Sequence, residues 1–340
     1  MQILYAIAGI AIIVYVMKDL ITTTLSFQGG GHLTNFISEN LWRLCLRLAG
    51  HDGKKKMLER VGHMLLVLII LTWVMGMWLG AFLLLLSDPA SVLNSTTEEI
   101  TTASEKLYFA GYTLSTVGNG DYKPGSNLWD IVTNLLAFSG LAFITVSITY
   151  IMPVLSAVIL QVKLSVFLNS LGNSPQQVLL NCWNGENFDR LLRHDADLAD
   201  MITEHSQNHK AYPIIHFFHN IEQRQSVVLN LAIFDEAINF LKFGVQEEVR
   251  PSDAELLTIR GAQDYYLYVL DRHHKNEEQK PYTFPEMKWD ALMEAGIPLK
   301  TPLLSDFHSP ETFKERREVL TYLLHQDGWS WNDIYRPDPV

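Results

Sequence analysis

Long runs without a charged residue constrain this chain of 340 residues more than any other feature. Residues 64–86 are 23 uncharged positions, and residues 131–160 are 30, interrupted by Gly140 and Pro153. About 18 apolar residues are enough for a helix to cross a membrane. Residues 2–17 form a shorter run, and a helix continuing to residue 27 would place Lys18 at the lipid headgroups. We therefore expect three membrane-spanning helices, the first over residues 1–27. A cleaved signal peptide is disfavoured there, because no basic residue precedes the apolar run and no cleavage site is evident.

Charge divides the chain into two parts. Residues 1–163 contain 10 basic and 10 acidic residues, whereas residues 164–340 contain 16 and 27, which accounts for the net charge of −11. An acidic second half argues against nucleic acid as a partner, because phosphate backbones require a basic surface. The two cysteines, Cys45 and Cys182, provide neither a disulfide framework nor a CxxC metal site.

The loops between the spans predict an orientation. The first loop is rich in basic residues, namely Arg43, Arg47, Lys54, Lys55, Lys56 and Arg60. Cytoplasmic loops carry an excess of Lys and Arg. We therefore expect a multi-pass protein of the cell membrane (plasma or inner), with the N-terminus and residues 87–127 outside and residues 164–340 in the cytoplasm.

The outer connection, residues 87–127, is too long for a simple link between helices. Thr102 and Glu105 fit the S/T-x-x-E capping box, which predicts a short helix ending between Thr113 and Ser115. The C-terminus of such a helix would point toward the membrane centre, where its dipole favours a cation.

The next residues, "TVGNGD", must then return through the membrane without helix or strand. Irregular backbone is tolerated at that depth only where it is buried in protein or lines a water-filled path. Gly118 and Gly120 can adopt positive φ, so that Thr116, Val117, Gly118 and Asn119 can present carbonyl oxygens to an axis. One chain provides one quarter of such a ring, and four chains are needed to close it.

This stretch resembles the TVGYGD selectivity signature of the potassium-channel pore-loop superfamily. Thr113 stands three residues before Thr116, as in that family, and Gly140 stands where the inner helix commonly has its hinge glycine. The resemblance covers residues 61–160. It implies an outer helix, a pore helix, a filter and an inner helix, assembled as a homotetramer in the lipid bilayer. It also implies K⁺ as the permeant ion, bound along the filter, with no resident cofactor or other metal. The filter positions are Thr116, Val117, Gly118, Asn119 and Gly120.

Asn119 departs from the family pattern, in which this position is usually aromatic. Asparagine cannot supply the packing that holds the filter's width, so a weakly selective Na⁺/K⁺ pore stays open as an alternative. Asp121 keeps the family form, in which it is tied behind the filter to the pore helix. We expect Thr113 and Tyr112 to support the filter, with the Tyr112 hydroxyl as the donor to Asp121.

The inner helix, residues 131–160, is longer than the bilayer core and must tilt or bend. Gly140 and Pro153 are the predicted places. Each is either a gate hinge or a static kink. Hydroxyl side chains along this helix either line a wet cavity or bond to the preceding turn; they are Ser139, Thr145, Ser147 and Thr149.

Residues 33–48 have helical apolar spacing, with Trp42, Arg43 and Arg47 suited to headgroup depth. This pattern predicts an interfacial helix; a linker helix packed on the cytoplasmic domain is the alternative. The expected domains are therefore an N-terminal helix (1–27), a cytoplasmic linker (28–60), the pore domain (61–163) and an acidic helical domain (164–340). Regularly spaced basic residues inside an apolar helix are absent from the sequence, which disfavours a voltage sensor.

Residues 164–340 contain no GxGxxG or P-loop motif. Amphipathic helices are expected over residues 176–192 and 227–243. The histidine pairs 205/209 and 216/219 have spacings that can hold a metal or sense pH, but surface histidines and an aromatic core patch are the favoured interpretation. The aromatic residues of "DYYLYVLD" and "DGWSWNDIY" are expected in the core or in subunit contacts.

The sequence therefore predicts an all-α membrane protein with a mostly helical cytoplasmic domain. Its predicted function is that of a homotetrameric cation channel, most directly for K⁺, gated or assembled by the C-terminal domain, which has room for an unknown cytoplasmic ligand. The alternatives are a weakly selective cation channel and a non-conducting membrane-anchored sensor or scaffold. Neither paired carboxylates nor a nucleophile beside a base stands out, so an enzyme is not expected.

Overall fold

The computed structural model describes residues 1–26, 29–271, 289–300 and 311–335, and this part of the chain is mostly helical. Its α-helices, numbered in chain order, are α1 Gln2–Leu25, α2 His32–Leu48, α3 Val61–Leu86, α4 Ala103–Leu114, α5 Asn127–Leu171, α6 Pro175–Cys182, α7 Asp189–Leu192, α8 Asp195–Ala211, α9 Val227–Gly244, α10 Leu257–Asp271, α11 Asp290–Glu294, α12 Glu311–Gln326 and α13 Trp331–Tyr335. Two short strands, β1 Val92–Asn94 and β2 Tyr122–Pro124, pair antiparallel with Asn94 opposite Tyr122.

The chain forms two compact units. The first contains Met1–Glu39 and His63–Leu155, and the second contains Asn40–Gly62 and Ser156–Val340. Three helical stretches are long and apolar enough to cross a membrane: Gln2–Leu25, Leu58–Leu86 and Asn127–Leu171. The predicted all-α membrane fold with an N-terminal third span is confirmed. The expected linker, residues 28–60, is instead divided between the two units after Glu39.

Glycines allow α1 and α3 to pack closely within the first unit. A Cβ on Gly9 would lie 2.7 Å from the carbonyl oxygen of Gly80 and 2.7 Å from the amide nitrogen of Leu84. A Cβ on Gly76 would lie 2.7 Å from the Val16 side chain. Small residues four apart, here Gly76 and Gly80, are a common way for membrane helices to approach one another. The backbones of α1 and α3 therefore touch directly.

Asp19 joins three helices in the first unit. Its carboxylate, which is buried, accepts hydrogen bonds from the Leu33 amide (2.8 Å), the Thr34 hydroxyl (2.7 Å) and the Trp73 indole (2.8 Å). Because the first amides of a helix lack intrahelical partners, this carboxylate caps α2 from within α1. Gly31 leaves the necessary space, since a Cβ there would lie 2.1 Å from the Asp19 oxygen.

Helix α5 continues beyond the predicted inner helix. It runs for 45 residues without interruption, with Pro153 inside it, which corresponds to about 68 Å. The expected end at residue 160 is wrong, because the uncharged run stops before the helical periodicity does. Leu164 and Leu168, four residues apart, are buried in the core of the second unit and extend the helix to Leu171.

The second unit is built around α9, which is buried on nearly every side. The predicted helix over residues 227–243 is therefore correct in position but not amphipathic. Glu236 of α9 is fully buried and accepts two hydrogen bonds from Arg317 of α12, at 2.9 and 2.6 Å. Asp235 is likewise buried and pairs with Arg260 and Arg316. These ion pairs connect α9 to α10 and α12.

Two other sequence predictions fail in the second unit. The single helix expected over residues 176–192 is split into α6 and α7. Gly185, with φ of +101°, lies in the interruption, and Asn184 accepts amide hydrogen bonds from Glu186 and Asn187. Such asparagine-centred turns compete with helix.

Trp42 does not lie at headgroup depth. It is buried in the second unit, where its indole donates to the Gln326 carbonyl (2.8 Å) and its ring lies 5.7 Å from the His219 ring. The alternative of a helix packed on the C-terminal domain therefore holds for the second half of α2. Trp331 and Tyr335 are core residues, as expected.

Candidate functional site: the pore loop

The pore loop begins with helix α4, whose predicted capping box is confirmed. The Thr102 hydroxyl accepts from the Glu105 amide, and the Glu105 carboxylate accepts from the Thr102 amide at 2.6 Å. The helix ends at Leu114, within the predicted limits. Trp78 of α3 donates its indole hydrogen to the Leu107 carbonyl (2.9 Å) and attaches α4 to the preceding span.

A buried lysine holds the outer end of α4. The Lys106 ammonium donates to the carbonyl oxygens of Leu85 (3.1 Å) and Pro89 (3.0 Å) and to the Ser91 hydroxyl (2.9 Å), and it also contacts the carbonyl oxygen of Asp88. An ammonium has three hydrogens to donate, and these oxygens replace the water that burial removes. Lys106 thereby links α4 to the end of α3.

The chain after α4 has the alternating backbone that the motif predicts. Gly118 and Gly120 adopt φ of +61° and +83°. Thr116 also lies in the left-handed region, at +59°. A β-branched residue in that region is unfavourable and persists only where the surrounding structure imposes it. The backbone therefore reverses its twist at every second residue from 116 to 120.

The amides at the start of this stretch point back to the pore helix. The Thr116 amide donates to the Thr113 carbonyl (3.1 Å) and the Val117 amide donates to the Tyr112 carbonyl (3.0 Å). Within the described part of the chain, no donor reaches the carbonyl oxygens of residues 116–120. Residues 116–120 are also exposed in the single chain. The carbonyl oxygens of residues 116–120 are therefore left without a hydrogen-bond partner among the described residues.

Asn119 is attached to the pore helix by a hydrogen bond that the sequence does not predict. Its side-chain amide donates to the Tyr108 hydroxyl. The Tyr108 ring lies 5.2 Å from the Tyr112 ring and 6.1 Å from the Tyr122 ring, both in edge contacts. The Tyr122 hydroxyl in turn donates to Glu105 (3.1 Å). We call Tyr108, Tyr112 and Tyr122 the tyrosine cluster. Aromatic residues thus lie beside residue 119 although position 119 itself is not aromatic.

The expected bond between Tyr112 and the Asp121 carboxylate is wrong. The Tyr112 hydroxyl donates instead to the backbone carbonyl of Tyr122, the residue after Asp121, at 3.0 Å. The backbone carbonyl of Asp121 accepts from the Ser95 amide (3.0 Å), beside the paired strands β1 and β2. Tyr112 therefore holds the main chain of β2, and its support of a filter stays a prediction. Thr113 is buried, and its carbonyl accepts the hydrogen bond from the Thr116 amide.

Gly140 has a packing role that differs from a hinge. A Cβ there would lie 1.9 Å from the carbonyl oxygen of Leu114, the last residue of α4. The glycine therefore lets α5 touch the end of the pore helix. Pro153 lies inside a continuous helix. The hinge function of both residues stays a prediction.

The hydroxyl groups along α5 mostly bond to the preceding turn. Ser139 donates to the Leu136 carbonyl (2.8 Å) and Thr145 donates to the Leu141 carbonyl (3.0 Å). Thr149 donates to the Thr145 carbonyl (3.2 Å). Of the two alternatives for these residues, bonding to the preceding turn is therefore observed. Ser147 is buried, and its hydroxyl has no hydrogen-bond partner among the described residues.

The histidines of the second unit are not surface residues as a group. His205 is buried, which contradicts the expected surface position, whereas the burial of His219 agrees with the expected aromatic core patch. Among the residues that the structure describes, no three His, Cys, Asp or Glu side chains are grouped so that they could hold a metal ion.

Sequence reasoning missed Tyr108 as the partner of Asn119, and it missed Lys106 entirely. In both cases the sequence contains a feature that points to the missing contact. A lysine within an apolar helix needs oxygen partners, and a polar residue in place of an aromatic one requires a donor or acceptor nearby.

Comparison with known proteins assigns this chain to a family. A family model described as "Ion channel" matches residues 64–157, which include most of α3, all of α4 and the first part of α5. The chain is 31% identical over 334 residues to the "Uncharacterized membrane protein YdjJ" of Bacillus subtilis (strain 168), covering 96% of this chain and 95% of that protein. This chain belongs to the pore-loop ion-channel superfamily. No solved structure is significantly similar to this chain.

Membership in the pore-loop superfamily accounts for the order of elements around the filter. The matched residues contain the outer helix, the pore helix, the "TVGNGD" stretch and the inner helix. The relative extends the similarity to both units, since it is aligned over nearly the whole chain.

Proposed function

We propose that this protein is a homotetrameric channel that conducts K⁺ passively across the cell membrane. The observation that carries the proposal is the backbone of residues 116–120, in which positive φ recurs at every second residue and the carbonyl oxygens accept no hydrogen bond from the described residues. Such a row can replace the hydration shell of a cation.

Four chains are required by this mechanism. In the single chain residues 116–120 are exposed, and irregular backbone at membrane depth needs either protein or a water-filled path beside it. Four copies around one axis would enclose the row and form rings of oxygens at Thr116, Val117, Gly118 and Asn119. Ions would pass between the rings by displacing one another.

Selectivity for K⁺ is supported by the attachment of Asn119. In the sequence alone, this residue favours the alternative of a weakly selective Na⁺/K⁺ channel. The bond to Tyr108 gives position 119 a fixed distance from the pore helix, and the tyrosine cluster supplies the aromatic packing behind it. These contacts favour a filter of defined width over a loose one.

We further propose that the second unit, which lies in the cytoplasm according to the distribution of basic residues, gates or assembles the pore. Helix α5 supports this assignment, because it is continuous from the filter side to residues buried in the core of the second unit. A non-conducting sensor or scaffold is the competing function, and no described contact favours it.

Replacing Gly118 with alanine tests the proposal. Gly118 has open space around it but φ of +61°, so that alanine would strain the backbone rather than create a clash. We expect Gly118→Ala to reduce K⁺ flux in proteoliposomes at least tenfold while the protein stays folded. Gly185→Ala is the matched control, since Gly185 has φ of +101° and equally open space, but lies in the second unit. Equal flux from Gly118→Ala and the wild type would contradict the proposal.

A further inference from the structure

Within the second unit, a short segment before the outer helix is held by residues much later in the chain. The amide of Gly53 donates to the Gly328 carbonyl (2.9 Å), and the Gly53 carbonyl accepts from the Nε2 of His219 (2.7 Å). Eleven residues earlier, the Trp42 indole donates to the Gln326 carbonyl (2.8 Å). We call this set of contacts the clasp: Trp42 and Gly53 on one side, and His219, Gln326 and Gly328 on the other.

The clasp leads directly into helix α3. Gly62, in the first turn of α3, packs against the chain that carries His219: a Cβ on Gly62 would lie 2.8 Å from the Phe217 carbonyl oxygen and 2.7 Å from the Phe218 ring. A change in the clasp would therefore act on the residues that begin the outer helix.

A buried carboxyl group lies in the middle of the clasp. Asp327 stands between Gln326 and Gly328 and is 6% exposed. Its backbone oxygen would lie 2.6 Å from a Cβ on Gly53. Its side-chain Oδ1 accepts no hydrogen bond from the described residues and lies 3.8 Å from the Nε2 of His216. Asp327 also follows the last residue of α12, where the helix dipole disfavours a negative charge.

Other ionisable groups stand on the neighbouring elements of the chain. On the neighbouring helices and turns, the titratable and charged side chains are His205 and His209 of α8, His216 and His219 near the 3₁₀ turn Pro213–Phe217, Tyr266 of α10, His325 of α12, Asp52, Lys54, Lys55, Lys56, Glu59 and Arg60 of the clasped segment, and Asp333 of α13. Lys54 pairs with Asp333 (3.3 Å) and Lys55 with Asp52 (3.6 Å). Among the described residues, His216 is the basic side chain within ion-pair distance of Asp327.

We propose that Asp327 and His216 form a buried proton-binding site that holds the clasp closed when Asp327 is protonated and releases it when Asp327 becomes charged. Burying a charged carboxylate is costly unless it is paired and hydrogen-bonded. Opening the clasp would give the carboxylate access to water, so that loss of the proton favours the open form.

The direction of the pH dependence follows from burial. Burial raises the pKa of Asp327 to about 8. In contact with water, the pKa of this carboxyl would be near 3.8. At a pH between these two pKa values, the closed form therefore binds a proton that the open form lacks. The closed clasp is therefore stable at lower pH and is lost as pH rises through about 8. Burial lowers the pKa of His219 below its usual value, which separates its titration from that of Asp327.

Fluorine NMR of the full chain in lipid nanodiscs tests the site. Tryptophan is replaced by 5-fluorotryptophan, and the Trp42 signal is assigned with Trp42→Phe. We expect the wild-type Trp42 signal to shift between pH 6 and 9.5 with a midpoint near 8. In Asp327→Asn, which mimics the protonated form, the signal should not move above pH 7. The control Asp52→Asn removes an exposed carboxylate from the same segment and should keep the wild-type midpoint.

A second variant covers the case in which Asp327→Asn does not fold. His216→Gln removes the group that can stabilise the Asp327 charge, so that the midpoint should move upward. The proposal is overturned if the wild-type signal has no midpoint above pH 7, if Asp327→Asn keeps that midpoint, or if His216→Gln leaves it unchanged.

The regulatory consequence rests on the proposed channel function. In planar bilayers, currents should change with the same midpoint in the wild type and in Asp52→Asn, and should be independent of pH above 7 in Asp327→Asn. No current at any pH would count against the channel function, whereas the fluorine signal of Trp42 decides separately on the proton site.

Discussion

At the scale of single residues, the proposed K⁺ selectivity depends most on Asn119. The family usually has an aromatic residue there, and Asn119 instead donates its amide hydrogen to Tyr108. Tyr108→Phe removes the acceptor but keeps the ring and its contacts with Tyr112 and Tyr122. A neutral hydrogen bond contributes about 1 kcal/mol, which corresponds to roughly a fivefold change in a ratio. We expect the Na⁺/K⁺ permeability ratio, measured from reversal potentials, to rise by about that factor.

Tyr122→Phe is the control for this experiment. It removes a hydroxyl from the same tyrosine cluster, but this hydroxyl bonds to Glu105 and not to the filter. Its permeability ratio should stay close to that of the wild type. A Tyr108→Phe protein with wild-type selectivity would show that the Asn119 bond does not set the filter's width.

Local sequence predicts the backbone conformation of residues 116–120 well and the contacts of their neighbours poorly. Positive φ at Gly118 and Gly120 was expected because glycine alone adopts it without strain. The sequence does not predict the partner of Asn119. Tyr108 is eleven residues away, and the bond depends on how α4 and residues 116–120 pack. The Tyr112 hydroxyl was expected to bond to a side chain and bonds to a carbonyl instead. The acceptor that a hydroxyl reaches depends on small differences in tertiary position, which the spacing of residues in the sequence does not determine.

At the scale of helices, the contact between α1 and α3 depends on glycine. A Cβ on Gly9 would lie 2.7 Å from two backbone atoms of α3, neither of which can move aside without moving the helix. Overpacking of this kind costs about 1–3 kcal/mol. We expect Gly9→Ala to lower the thermal unfolding midpoint of the detergent-solubilised protein by several degrees.

Gly261→Ala is the matched control. Gly261 lies inside helix α10 and has no neighbour within 4 Å of the added Cβ. Alanine is favoured over glycine in a helix interior by about 1 kcal/mol, so this variant should unfold at the wild-type temperature or above it. Stabilisation by both substitutions would mean that α1 does not pack on α3 through Gly9.

The existence of the helices was predictable, but several of their ends were not. Uncharged runs predict α1, α3 and the first part of α5, and the capping box predicts the start of α4. The continuation of α5 to Leu171 depends on Leu164 and Leu168 finding a core in the second unit. The split between α6 and α7 depends on turn hydrogen bonds of Asn184. Tertiary packing and turn chemistry decide these ends.

At the scale of the whole molecule, the chain does not divide where its composition changes. Composition separates residues 1–163 from residues 164–340, whereas the second unit also includes Asn40–Gly62. The reason is the clasp: Trp42 and Gly53 make hydrogen bonds to residues more than 270 positions later. Contacts of such sequence separation leave no local pattern, although a buried tryptophan in a basic linker is consistent with them.

The central claim concerns the whole assembly: four chains form a K⁺-selective pore in spite of Asn119. The most direct test is the reversal potential of the purified protein in a planar bilayer, with K⁺ on one side and Na⁺ on the other. A reversal potential near the value expected for K⁺ alone is the predicted result. Robust current that reverses near zero would contradict K⁺ selectivity, and a stable monomer without current would contradict the channel itself.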